Sequence, residues 1–264
     1  DPLATDIFSR GQVLNNTYEV LGVLGRGGTG EVYLARNQIS ERNVAIKALN
    51  ARFSGQSEYV ELMKREEQMR SILNDAVVRY SDCSRSDDGH VFLVMDYVDG
   101  ISLSDLMEQR RLEDRELLIV AHRVLEGLVA THAQGIVHRD LSPDNIILRA
   151  GEPEQATIID FGIAKDTAAG ARTIVGKQFA GKYEYAAPEQ LDGDADFRAD
   201  LYALGASLLA VKRREVPEVG TNPGEVVRFK ARPLDTSGLE SPLKDLIEWL
   251  AAPDLRNRPR DATE

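Results

Sequence analysis

Only one cysteine, Cys83, stands among 264 residues. With a single sulfur no disulfide can close within the chain, and neither a thiol redox pair nor a thiolate zinc site can be assembled. A reducing, cytoplasmic setting is expected. Long apolar runs are missing as well: the longest, residues 201–211, contains Gly and Ser and is too short to cross a bilayer, and no charged-then-apolar leader opens the chain. Positive charge is in deficit, with 32 Lys and Arg against 43 Asp and Glu and a net charge of -11. A nucleic-acid or anionic-membrane partner is therefore disfavoured, because a phosphate backbone would be repelled on average. Aromatic residues make up only 6%, yet 42% hydrophobic content suffices for one sizeable core or two small ones. The first residue is Asp1 and not Met, and the last residues stop where a further helix is expected, so the sequence reads as a piece of a longer chain.

Residues 18–24, 31–36 and 43–49 alternate apolar and polar positions between Gly-rich or polar turns, which predicts an antiparallel meander. Over 57–73 the pattern turns helical, with Leu62, Met69 and Leu73 on one face and Glu66 falling among them. Two further strand-like runs, 77–83 and 90–97, flank a polar turn at 85–89. A five-stranded sheet with one helix is the expected result. After Asp99-Gly100 the pattern is helical, notably over 115–132 and 199–212, and no internal repeat or low-complexity tract interrupts it.

Gly25, Gly27 and Gly30 have the spacing of a phosphate-binding turn. A dinucleotide turn would open a helix at its last glycine, whereas Glu31-Val32-Tyr33-Leu34-Ala35 suits a strand, so a dinucleotide-dependent oxidoreductase is nearly excluded. Glycines at these positions would let a hairpin lie over phosphates with its amides pointing inward. Lys47 ends the apolar run Val44-Ala45-Ile46-Lys47 and calls for an anionic partner. His90, His122 and His132 show no ligand spacing with Cys, Asp or Glu, and no zinc is expected.

Downstream stand His138-Arg139-Asp140-Leu141-Ser142-Pro143-Asp144-Asn145, then Asp160-Phe161-Gly162, then Ala187-Pro188-Glu189. In this order, and behind the glycine-rich segment and Lys47, the set resembles the catalytic domain of the eukaryotic-like (Hanks-type) protein serine/threonine kinases, bacterial type. The resemblance spans almost the whole chain. It implies an α+β, two-lobed fold in a single kinase domain over 1–264: a small lobe (15–97) of a five-stranded antiparallel sheet plus one helix, and a large lobe (98–264), mainly helical. It implies ATP and Mg2+ as cofactors and protein substrates with Ser or Thr acceptors, and it allows a homodimer for trans-autophosphorylation. The full-length protein could then be membrane-anchored outside this piece.

Residue by residue, the resemblance makes Asp140 the group that orients the substrate hydroxyl and accepts its proton. Lys47 would hold the α/β-phosphates and pair with Glu66, which shares the inward helix face while Glu67 does not. Asn145 and Asp160 would supply hard oxygen ligands to magnesium. Leu24, Val32 and Ala45 above and Ile147 below would enclose the adenine, with Met95 as gatekeeper and backbone groups from Asp96 to Val98 reading its edge. As apolar strand residues, these five are equally well explained as core. Asp200, Glu189 and Arg258 resemble the family's scaffold acid and ion pair, and His138 and Phe161 read as packing residues.

Two positions depart from the pattern. The catalytic-loop lysine expected two residues past Asp140 is Ser142, and Lys182 stands where Ser/Thr kinases usually carry Thr. Lys182 could supply the missing positive charge from the opposite side, or be a solvated loop lysine. Arg139 suggests a partner for a phosphorylated Thr173 or Thr167, both of which could equally be ordinary loop residues. A pseudokinase that binds ATP and acts as a regulatory interaction module is the alternative; the full set Lys47, Asp140, Asn145 and Asp160 argues against it.

Overall fold

The computed structural model describes residues 7–27, 30–51, 54–161, 182–193 and 196–264. Its chain divides into two compact units, one holding residues up to Leu73 together with Val78–Tyr97, the other Asn74–Val77 and the described residues from Val98 onward.

The first unit is an antiparallel sheet of six strands in the order β1-β2-β3-β4-β6-β5: β1 (Val13–Leu14), β2 (Tyr18–Gly27), β3 (Gly30–Asn37), β4 (Asn43–Leu49), β5 (Tyr80–Arg85) and β6 (Val91–Asp96). The expected count of five is thus corrected to six, because the two-residue β1 is too short to show a period in the sequence. Strand β5 also begins later than the predicted run at 77, since Val77 bridges to Ile158 in the second unit. The helix α1 (Gln56–Arg70) stops before Leu73, which is 76% exposed and not on its apolar face.

Alternation along the strands sorts the sheet's two faces. Tyr33 and Ala35 of β3, Val44, Ile46 and Ala48 of β4, and Phe92 and Val94 of β6 build one core with Phe8, Leu14 and Val20. Phe8, fully buried, sets its ring 5.6 Å from that of Tyr33 and 6.1 Å from that of Phe92. Burial on this scale contributes about 2–3 kcal/mol per large apolar side chain. The opposite face is written by register: Val32 pairs with Lys47, Leu34 with Ala45, Ala45 with Met95 and Lys47 with Leu93. Directly opposed residues share a face, so Val32, Ala45, Lys47 and Met95 lie together. Leu24 sits in a register shift between Val23 and Gly25 and is 47% exposed.

The helices of the second unit are α2 (Leu103–Gln109), α3 (Asp114–His132), α4 (Arg198–Arg213), α5 (Pro223–Lys230) and α6 (Leu243–Leu250), and α4 is buried, its side chains from Ala199 to Val211 all interior. The expected mainly helical lobe also contains a three-stranded antiparallel sheet, β7 (Gly100–Ser102), β8 (Ile146–Arg149) and β9 (Ala156–Ile158). These strands are three or four residues long, too short for their period to be read. They flank the predicted catalytic residues: β8 starts directly after Asn145, and β9 ends two residues before Asp160. Among the described residues, no helix is long and apolar enough to cross a membrane.

Candidate active site

Asp200, in the first turn of α4, organises the 138–145 loop from below. It is 1% exposed. Its Oδ2 accepts from the backbone N–H of His138 at 2.8 Å and its Oδ1 from that of Arg139 at 2.9 Å, while His132 Nε2 lies 2.8 Å from Oδ2. A carboxylate can be buried so deeply because donors meet both oxygens. The same contacts hold Arg139 at φ +66°, a left-handed conformation that a side-chain-bearing residue keeps only when its surroundings impose it. Asp160 also takes a left-handed φ of +55°.

His138 joins the two segments. The Asp140 N–H donates to its Nδ1 at 3.1 Å, and its Nε2 lies 2.8 Å from the carbonyl of Ile159. Both contacts are met by the neutral ring with its proton on Nε2. The ring also rests against Phe161, with centroids 4.6 Å apart. The side-chain Nδ2 of Asn145 donates to the Asp140 carbonyl at 2.7 Å, and the Asn145 carbonyl accepts from the Ile159 N–H at 2.9 Å. The amide is thereby oriented, and no described residue donates to its Oδ1. Asp140, Asn145 and Asp160 are drawn into one neighbourhood by this backbone network.

Ser142 is 1% exposed, and its Oγ finds no hydrogen-bond partner among the described residues. Lys182, about half exposed, forms an ion pair with Asp144 of the loop. The ammonium from the second segment therefore reaches the loop whose own lysine position is a serine. Gln190, in the 3-10 turn Pro188–Asp192, ties the same two segments again, donating to the Arg139 carbonyl at 3.0 Å and accepting from the Ala187 N–H at 2.9 Å. Just before it, Glu189 meets Arg258 in a two-point pair at 2.6 and 3.0 Å. Arg258 is 4% exposed and also donates to the carbonyls of Ala252 and Pro253. Thr167, Thr173 and Gly162 lie outside the described residues.

In the first unit, Lys47 is buried on the face described above. Glu66, expected to pair with it, is buried in α1 and held by Arg70, whose Nε and Nη2 lie 2.9 and 2.8 Å from Oε1. Burial raises the Glu66 carboxyl above the ordinary carboxylate range, against the pull of Arg70. Burial also pushes the Cys83 thiol up to about 12, with Glu66 and Asp82 adding to the shift, so it has no thiolate chemistry near neutrality. Along the glycine-rich hairpin, Gly25 pairs with Val32 and Arg26 with Glu31. Glu31 anchors it: its carboxylate accepts from the Ile7 N–H at 2.9 Å, from the Tyr33 hydroxyl and from Arg26 Nε at 3.1 Å. Burial alone would raise that carboxyl, but these donors outweigh it and hold it below the ordinary range. Beyond the hairpin, Met95 and Ile147 are buried in their own strands, Val98 is half-buried, and Asp96 is exposed with its N–H given to the Arg79 carbonyl at 2.9 Å.

The profile of the protein kinase domain matches residues 18–263 of this chain. The chain belongs to the protein kinase domain family. Pkn2 of Myxococcus xanthus, a serine/threonine-protein kinase, is 36% identical over 96% of this chain and 32% of its own length. The serine/threonine-protein kinase PknB of Mycobacterium tuberculosis is 32% identical over 95% of this chain and 42% of its own length. The kinase domain spans about a third to two fifths of these relatives. Among solved structures, the PknI kinase domain of M. tuberculosis is 25% identical with a TM-score of 0.72, over 97% of this chain and 94% of that one. The relatives are bacterial serine/threonine-protein kinases, and the protein kinase family uses ATP and a divalent metal.

Sequence reasoning did not single out Asp144, Gln190 or His132, whose roles depend on segments far apart in the chain. It also passed over Lys230, for which a signal existed: it stands four residues after Val226, on the same helix face, and both are buried.

Proposed function

We propose that this chain transfers the γ-phosphoryl group of Mg-ATP to Ser and Thr hydroxyls of protein substrates, including copies of itself that meet it as a homodimer. The observation that carries this reading is the loop locked onto Asp200, which orients Asp140 and Asn145 and ties them to the segment that carries Asp160. Asp140 accepts a hydrogen bond from the acceptor hydroxyl and takes its proton as the new O–P bond forms and ADP leaves. Asn145 Oδ1 and the Asp160 carboxylate suit magnesium, since two hard oxygens leave the remaining positions to phosphate and water. When bound, the ion neutralises charge on the phosphate oxygens. Lys47 and the amides around Gly25, Gly27 and Gly30 hold the phosphates, with Glu66 as the counter-charge for Lys47. The adenine is taken by Leu24, Val32, Ala45, Met95 and Ile147, with backbone groups of Asp96 to Val98 at its edge. A cytoplasmic site of action fits the need for ATP and the lone buried thiol.

Lys182 replaces the absent loop lysine in this reading. Its ion pair with Asp144 supports that role, since the ammonium already reaches the loop. The second reading, a pseudokinase, draws on Glu66 being held by Arg70. Labelled ATP and magnesium given to the purified chain, with Asp160→Asn as control, separate the two: transfer lost in the variant supports catalysis, and no transfer by the unaltered chain overturns it. Lys182→Ala should lower turnover by roughly 100-fold, the effect of removing one preorganised charge donor. Ser142→Lys combined with Lys182→Thr should recover more activity than either change alone.

A further inference from the structure

Lys230, the last residue of α5, is fully buried. Lysines almost never occupy such a position without partners. Its Nζ donates to the backbone carbonyl of Glu184 at 2.9 Å, and lies 5.1 Å from the ring centroid of Tyr202 on α4 and 5.6 Å from that of Phe229. The charged groups around it are the Glu184 carboxylate and, across the shared Tyr202 ring, Arg258, which is 5.0 Å from that centroid and bound to Glu189. Burial pulls the Lys230 ammonium down from 10.5 to about 7, with Glu184 opposing. Methionine would fill the same space without desolvating a charge. What lysine adds is one directed bond to a backbone oxygen.

The place of that oxygen gives the bond its meaning. The segment from 182 to 190 is fastened to the Asp140 loop at both ends, by Lys182 on Asp144 and by Gln190 on the Arg139 carbonyl. Glu184 lies between these fastenings and is held from below. A polypeptide that brings a hydroxyl to Asp140 has this segment as its neighbour. We propose that Lys230 is a positioning residue for the protein acceptor, fixing the middle of the 182–187 segment at the level of the Asp140 loop. This rests on the kinase reading above.

The test is steady-state kinetics of the purified chain and of Lys230→Met, with dephosphorylated casein as acceptor. The variant should raise the KM for casein about tenfold, as expected for loss of a charge-assisted hydrogen bond, while the KM for ATP and the hydrolysis of ATP without acceptor stay unchanged. In the unaltered chain the KM for casein should rise a few-fold as pH passes upward through 7 and the ammonium loses its proton, and in the variant that rise should vanish. An unchanged casein KM, or an equal change in the ATP KM, overturns the proposal. If Lys230→Met does not fold, the pH profile of the unaltered chain decides alone. Should the unaltered chain transfer no phosphate, the kinase reading fails separately, and amide exchange still decides the Lys230 contact: protection of 183–187 must drop in the variant, and undiminished protection sinks it.

Discussion

The 138–145 loop and the glycine-rich hairpin are both expected to handle phosphate chemistry, yet they are held in opposite ways. In the loop, backbone amides of His138, Arg139 and Asp140 and the side chain of Asn145 all have named partners, and most of the partners are buried. The hairpin is held along one strand, β3. Gly30 presses against β4 so closely that a Cβ there would lie 1.9 Å from the Ala48 carbonyl oxygen, and Glu31 beside it is fixed by three donors. On the partner strand β2, a Cβ on Gly25 or Gly27 would meet no atom within 4 Å. The difference follows from the two tasks: a proton acceptor and a metal ligand work only in a fixed geometry, whereas a cover for a triphosphate needs backbone that can approach it closely.

This contrast can be broken experimentally at three points. The largest effect is expected at Asp200, where replacement by Ala leaves two loop amides and His132 without their acceptor. Asp200→Ala should lower the unfolding free energy by about 3–5 kcal/mol in a denaturant titration, and phosphoryl transfer should fall with it. A smaller loss would mean that the loop is held by other means. Gly30→Ala comes next, since the clash is with backbone that cannot swing away; about 1–3 kcal/mol of stability should be lost. Gly25→Ala should come last, changing stability by no more than about 0.5 kcal/mol because its side chain would point into open space. If Gly25→Ala destabilised the fold as much as Gly30→Ala, the hairpin would be as tightly bound as the loop and the contrast would disappear.

Much of the fold was legible because strands β2, β3, β4 and β6 and helices α1, α3 and α4 are long enough to display their periods. The parts that escaped are short or non-local. Strand β1 has two residues, and β7 and β9 have three each. Such segments become strands only because a neighbour supplies the hydrogen bonds. At the site, Asp140, Asn145 and Asp160 could be named from their motifs, while Lys182 could be given only as one of two readings and its contact with Asp144 was not anticipated. Glu66 shows the reverse case: its inward face was readable from helical spacing, and the structure buries it, but the arginine that holds it one turn away was not anticipated.

By itself the amino-acid order determined the chemistry on offer: which carboxylates, amides and lysines stand in which motifs, and which faces of strands and helices turn inward, since these depend on residue type and local period. The tertiary structure alone decided who partners whom. Asp200 lies 60 residues or more from the amides it holds, and Lys230 lies 46 from the carbonyl it meets. Contacts across such separations arise only when the packed chain excludes water and leaving a buried donor without an acceptor becomes costly.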